Sequence, residues 1–493
     1  MNDLMTLILS LSKEEADDFL AFAKAKNQRS DVKNIQLFQL LRNGARKDLD
    51  LKIYGKPNRN AMHALTNRLK ENLIDFTATR SLASDAAEDL QLLKQLLAAR
   101  LFLEQNQYSL GFKTLQKAIY KAQLLEQYAL LQECYHTQVQ YVHLDPKSTL
   151  DAVIEAYTRN QELYETETKL VMAYAILQRE LANHPADIFE VIRQQLLKFN
   201  ITIDKHLSFK SLFQIMTIAT DAATLKSDYA GVAIFMNHIF EIVESKKHLV
   251  ARHLYYYSEI LYLMSGTYFR NADFSNSQLA LERLEAVLAS GKGKHTAPFE
   301  ERVQILKALN LNYTGDFEKA IEVVNQIKKP SSRAALVQTT FLFQQEHWQQ
   351  ARRKINEFYH SDAFYEKKEG LLWVLQKNLL EVLIYMELHQ PHLVESKMRS
   401  FKKRFRSRLL LIKEDRVMAF MNLLRIYFDQ PSRITEKSFK DKVEGAFVWK
   451  TAGREDIFVM SFYAYLKAKM DQTTIYTATL QLVNQKNGAG MKE

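Results

Sequence analysis

The chain has 493 residues, 47% of them hydrophobic, with 13 glycines, 7 prolines and a single cysteine, and a formal net charge of +10. So few breakers over such a length exclude a turn-rich sheet fold and favour helices with short connections, while Cys134 alone excludes an intrachain disulfide and the usual thiol zinc sites. The basic excess suits an anionic partner, whether nucleic acid, lipid or an acidic protein, and no run of about 18 apolar residues offers a membrane span.

The N-terminal MNDLMTLILSLSKEE has an apolar patch behind an acidic residue. It lacks a basic n-region and a small-residue cleavage site, so it is not read as a signal peptide, and a cytoplasmic protein is expected. Ser12 and Glu15 form a capping box. They open a helix that carries Ala16, Phe19, Leu20 and Ala23 on one face.

A second helix is expected from Val32 to Asn43, with Gly44 as its C-terminal cap. After the loop DLDLKIYGKPNRN, a third aligns Met62, Leu65, Leu69, Leu73 and Phe76. Residues 1–82 therefore read as a small helical domain, of a size that also suits a helix-turn-helix module. In that use Arg59, His63, Asn67, Arg68 and Lys70 would face DNA. A solvated helix face, here diluted by Glu71 and Asp75, has the same composition.

From about Ala86 onward helix follows helix. The segment ASGKGKHTAPF, residues 289–299, breaks the run with Gly291, Gly293 and Pro298. It separates residues 83–290 from residues 298–485. DQPSRITEK near Asp429 is a second interruption, and residues 486–493 are expected to be disordered.

Between Leu306 and Tyr359 one pattern is written twice. Phe317 and Ala320 in the first copy are matched by Trp348 and Ala351 in the second, at the same interval. Gly315 lets the chain turn between helices, the aromatic wedges into a neighbouring hairpin, and Ala lets two backbones approach. Looser copies place Tyr108 with Gly111, Tyr229 with Val232, and Phe274 with Ser277. Through Gly315, Phe317 and Ala320, and then Trp348 and Ala351, this stretch resembles tetratricopeptide repeats, and the layout as a whole resembles uncharacterised bacterial repeat proteins. The resemblance implies an all-α α-solenoid, a right-handed superhelix of helix pairs behind the small N-terminal domain. It further implies a groove for the acidic end of a peptide, contacted by Arg302, Arg333 and Lys377.

Other patterns are bland. Gly293 and Lys294 precede His295, not Ser or Thr, so no Walker loop is present. Glu387, His389, His392 and Glu395 are interrupted by Pro391 and read as a hairpin turn before they read as metal ligands. His136 and His143 are spaced to share a helix face. No metal, cofactor or catalysis is expected.

The strongest charge signal is SKMRSFKKRFRSRLL. On a helix, Met398, Phe401, Phe405 and Leu409 form an apolar stripe. Arg399, Lys402, Lys403 and Arg406 flank it on one side, with Lys397, Arg404 and Arg408 on the other. Such a helix can grip phosphates, lie on an anionic membrane, or pack while its long side chains reach water. The leading expectation is a non-catalytic scaffold that binds a protein or acidic peptide on the concave solenoid surface. The alternative is a nucleic-acid-associated regulator that uses the N-terminal domain or helix 397–408. Oligomeric state is left open.

Overall fold

A computed structural model describes the chain except residues 1, 12, 27–31, 46–47, 84–87, 183–187, 227–228, 291–295, 329, 412–414, 447–456 and 490–493. The Ser12 cap, the glycines of the 289–299 linker and the last four residues of the tail therefore lie outside the described residues, as does the side chain of Tyr229. Among the described residues the protein is all-helical, with no strand. It divides into two compact units, Met1–Gln123 with Gln127–Asn160, and Leu124–Glu126 with Gln161–Glu493.

The first unit opens with α1 (Asn2–Ser10), α2 (Lys13–Lys26), α3 (Val32–Arg42), α4 (Leu49–Tyr54) and α5 (Arg59–Ala83). The sequence pattern does not announce α1, and α4 lies in the expected loop. Both are too short to persist alone. Leu4 and Ile8 from α1, and Leu49 and Ile53 from α4, are held by a core shared with Phe19, Phe38, Leu65, Leu69 and Phe76. At the end of α3, Gly44 takes a φ of 81° and the Ala45 amide donates to the Leu40 carbonyl at 3.0 Å, the cap its position predicts. A second core lies in α6 (Glu88–Glu104), α7 (Tyr108–Leu124) and α8 (Tyr128–Tyr141). Cys134 is buried there, and burial pushes its thiol up to about 12, away from the thiolate form that reacts. His143 falls in a 3-10 turn beyond α8, so it does not share a helix with His136.

The helices then run as α9 (Leu150–Ala182), α10 (Ile188–Lys198), α11 (Phe209–Lys226), α12 (Tyr229–Ser245), α13 (Leu254–Arg270) and α14 (Phe274–Ser290). Next come α15 (Ala297–Tyr313), α16 (Phe317–Asn325), α17 (Ser332–Gln344), α18 (Trp348–Ile355), α19 (Asp362–Glu369), α20 (Leu371–Glu387) and α21 (Pro391–Leu411). The last are α22 (Asp415–Asp429), α23 (Lys437–Ala446), α24 (Ile457–Asp471) and α25 (Ile475–Ala489). The DQPSRITEK interruption is a short 3-10 helix, Pro431–Thr435, between α22 and α23. α25 continues to Ala489, into the segment expected to be disordered. In the second unit α13 packs on α14, α15 on α16, α17 on α18, α20 on α21 and α24 on α25, while α13, α15, α17 and α20 touch in that order.

One backbone device recurs at the hairpin turns. Asn106, Glu126, Ala272, Gly315, Glu346, His389 and Gln472 all take left-handed conformations, with φ between 50° and 100°. In each case the next amide donates to a carbonyl five residues back, for example Gln107 to Phe102 at 2.8 Å and His347 to Leu342 at 2.9 Å. This is the hydrogen bond of a Schellman cap, which satisfies carbonyls that a helix end would leave unpaired. An aromatic residue opens the following helix after five of these turns, at Tyr108, Tyr128, Phe274, Phe317 and Trp348. Only Gly315 reaches this conformation without the roughly 1–2 kcal/mol that a side chain costs there.

Small residues sit where paired helices approach. Ala320 and Ala351 are fully buried. A Cβ on Gly111 would lie 2.7 Å from Leu103. Ser277 fills its place with hydrogen bonds to Ser265, the two hydroxyls 3.1 Å apart. Phe317 packs edge-on against Tyr476 of α25, and Trp348 lies tilted against Phe343.

Candidate functional site

The three cations that a resemblance to tetratricopeptide repeats would place in a groove are each met by the protein's own carboxylates. Arg302 on α15 makes a two-pronged pair with Glu259 of α13, at 2.8 and 2.7 Å, and its guanidinium lies 4.0 Å from the Tyr262 ring. Arg333 on α17 donates from Nε to Glu369 at 2.7 Å. Lys377 on α20 is buried between Asp362, at 3.3 Å, and Glu381, at 3.5 Å. Beside them, the C-terminal helices lie against α15 and α20. Tyr476 donates to the Asn312 carbonyl at 2.8 Å, Tyr313 and Ser461 share a hydrogen bond of 2.6 Å, and Tyr465 donates to Glu387 at 2.6 Å. Glu387 also accepts from Lys469 of α24, and His389 is the left-handed residue of the turn between α20 and α21.

The basic helix α21 divides along its length. Pro391 starts it at a position where the missing amide costs nothing. Met398, Phe401, Phe405 and Leu409 are all buried, as their spacing predicts. On one flank every cation finds an acid. Lys397 pairs with Glu381 at 2.6 Å, Arg404 with Asp362, and Arg408 grips both oxygens of Glu366, one contact being 2.8 Å. Through Asp362, Lys377 and Glu381, positive and negative groups alternate from Arg404 to Lys397. The Arg408 hydrogen bonds hold the Glu366 carboxyl below its ordinary value of 4.5.

The other flank carries Arg399, Lys402, Lys403 and Arg406. Among the described residues none of the four has a hydrogen bond or ion pair, and all but the half-buried Lys402 are exposed. Four cations then lie along about 10 Å of helix, at 1.5 Å per residue. Glu395, one turn earlier, is exposed and makes no ion pair with Arg399.

A second buried charge cluster lies elsewhere in the second unit. The Glu126 carboxylate pairs with Lys246, lies 3.6 Å from His253, and accepts the Phe209 amide at the start of α11 at 2.9 Å. Lys246 also donates to the Leu207 carbonyl at 2.6 Å. In the first unit Arg59, His63, Asn67, Arg68 and Lys70 are exposed along α5, with Asn67 and His63 3.4 Å apart.

The residues that decide which cations are free were not singled out from the sequence. Asp362, Glu366 and Glu381 lie on α19 and α20, upstream of α21, and resemble any other surface acid in the text. The one available signal is the spacing of Asp362 and Glu366, four residues apart like Arg404 and Arg408. Comparison of the chain with protein-family models, with curated proteins and with solved structures finds no match.

Proposed function

We propose that the protein is a non-catalytic interaction scaffold, a stack of tetratricopeptide-like helix pairs in a right-handed superhelix that holds a partner protein. The single observation that carries this reading is the free flank of α21. A regularly folded helix holds four cations that meet no acid among the described residues. The hairpins joined by repeated left-handed turns support the same reading, because stacked helix pairs present side chains on a firm, extended surface. The α21 flank favours a contact there over one at Arg302, Arg333 and Lys377, whose charges are already compensated.

The second reading, a nucleic-acid-associated regulator, draws on the exposed row along α5. Affinity capture of tagged full-length protein from its native lysate, with and without nuclease, separates the two. A defined protein partner that survives nuclease supports the scaffold. Capture of nucleic acid alone, with every protein lost on nuclease treatment, overturns it in favour of the regulator.

A further inference from the structure

We propose that the free flank of α21 docks an acidic α-helix of the partner protein, through carboxylates four residues apart. The inference deepens the scaffold reading and rests on it. The molecule supplies the template on the opposite flank of the same helix. There Arg404 and Arg408 meet Asp362 and Glu366, so the two bases and the two acids run in the same order along their helices, with each acid opposite one base. The free flank repeats the spacing twice, as Arg399 with Lys403 and as Lys402 with Arg406. Residues four apart on a helix are about 5–6 Å apart at Cβ, so a second helix with acids at that spacing meets them in register. The two arginines can take carboxylates through two parallel hydrogen bonds, and the lysines act as point charges.

Preorganisation and reach select this occupant. The buried Met398, Phe401, Phe405 and Leu409 hold α21 from behind, and the clasp to α19 and α20 fixes its rotation. The cations therefore project from a helix that needs no ordering on binding, which keeps the entropic cost low. A nucleic acid draws its affinity from the number of phosphates neutralised, about 6–10 in a strong complex. Four cations over two turns, headed by the acid Glu395, fall short of that footprint but match two turns of an acidic helix.

The test uses the purified full-length protein and a fluorescent alanine-based peptide of about 20 residues, long enough to be helical. One peptide carries glutamates four apart along a single face, and a second has the same composition with the glutamates spread round the helix. A single-stranded oligonucleotide serves as a third anion. Fluorescence anisotropy should show the striped peptide binding roughly ten-fold tighter than the scattered one, and weakening as salt rises from about 50 to about 300 mM. The combined Arg399→Gln, Lys402→Gln, Lys403→Gln and Arg406→Gln variant, with an unchanged circular dichroism spectrum, should lose roughly ten-fold or more in affinity. The Lys437→Gln, Lys442→Gln variant, which removes exposed cations elsewhere, should bind as the wild type does.

Equal affinity for the two peptides, unchanged binding by the four-fold variant, or a preference for the oligonucleotide on these four residues overturns the proposal. Failure of this proposal and failure of the scaffold reading are distinguishable. A partner protein captured equally by wild type and four-fold variant overturns the docking site and leaves the scaffold standing, whereas absence of any nuclease-resistant partner removes both.

Discussion

The two flanks of α21 are built from the same residue types on the same helix, yet one is spent on the fold and the other is not. Lys397, Arg404 and Arg408 close onto Glu381, Asp362 and Glu366. Arg399, Lys402, Lys403 and Arg406 meet no acid among the described residues. The difference teaches that a basic stretch does not report available charge. Availability is what remains after the neighbouring helices have placed their carboxylates, and here that remainder is sorted onto one side.

The sharpest way to break the comparison is to remove a buried acid from the paired flank. Asp362→Ala leaves the buried Lys377 with Glu381 alone and strips Arg404 of its partner. Urea unfolding should show a loss of roughly 3–5 kcal/mol, the usual cost of uncompensating a buried charge. Glu126→Ala, which does the same to Lys246 in the other cluster, should fall in the same range. A loss below about 1 kcal/mol at both sites would show that these pairs add nothing to the fold.

Glu366→Gln asks less, because this pair is partly exposed and screened, and its effect should be about 1 kcal/mol or under. Its pH dependence is more telling. Glu366 has its folded carboxyl lowered from 4.5 by Arg408, so its contribution is fully present above the unfolded value and is lost as pH falls through the depressed one. The stability gap between wild type and Glu366→Gln should therefore be constant near neutrality and close below about pH 4.5. A gap that stays open in acid would mean that the charge on Glu366 is not what clasps α19 to α21.

The smallest effect belongs to the free flank. Neutralising Arg399, Lys402, Lys403 or Arg406 singly should change stability by no more than about 0.5 kcal/mol each, as for surface substitutions away from any special contact. A larger loss, seen as a shifted urea midpoint, would show that this flank also serves the fold and would erase the contrast between the two sides.

Much of the architecture was legible. The apolar spacing of Met398, Phe401, Phe405 and Leu409 marks the buried face, and the cations divide about it as the helical repeat requires. Phe317, Ala320, Trp348 and Ala351 announce helix hairpins because close packing needs small and aromatic residues at set places. The turns were legible only in part. Gly315 advertises a left-handed residue, whereas Glu126, Ala272, Glu346, His389 and Gln472 adopt the same conformation without any compositional sign. Nor did α4 show itself, since its six residues are helical only because Leu49 and Ile53 join a core made by other helices.

Periodicity and composition, which act within one helix or one turn, by themselves determined that this chain is all-helical and hairpin-rich and that one of its helices carries cations on both flanks. Only the tertiary structure decided which of those cations are spent, that Arg302, Arg333 and Lys377 face carboxylates, and that Tyr465 and Tyr476 bring the C-terminal helices back onto α20 and α15. The reason is the range of the forces involved: charge pairing and packing act over a few ångströms in space, and the acids that neutralise α21 arrive there from α19 and α20 only once the helices have stacked.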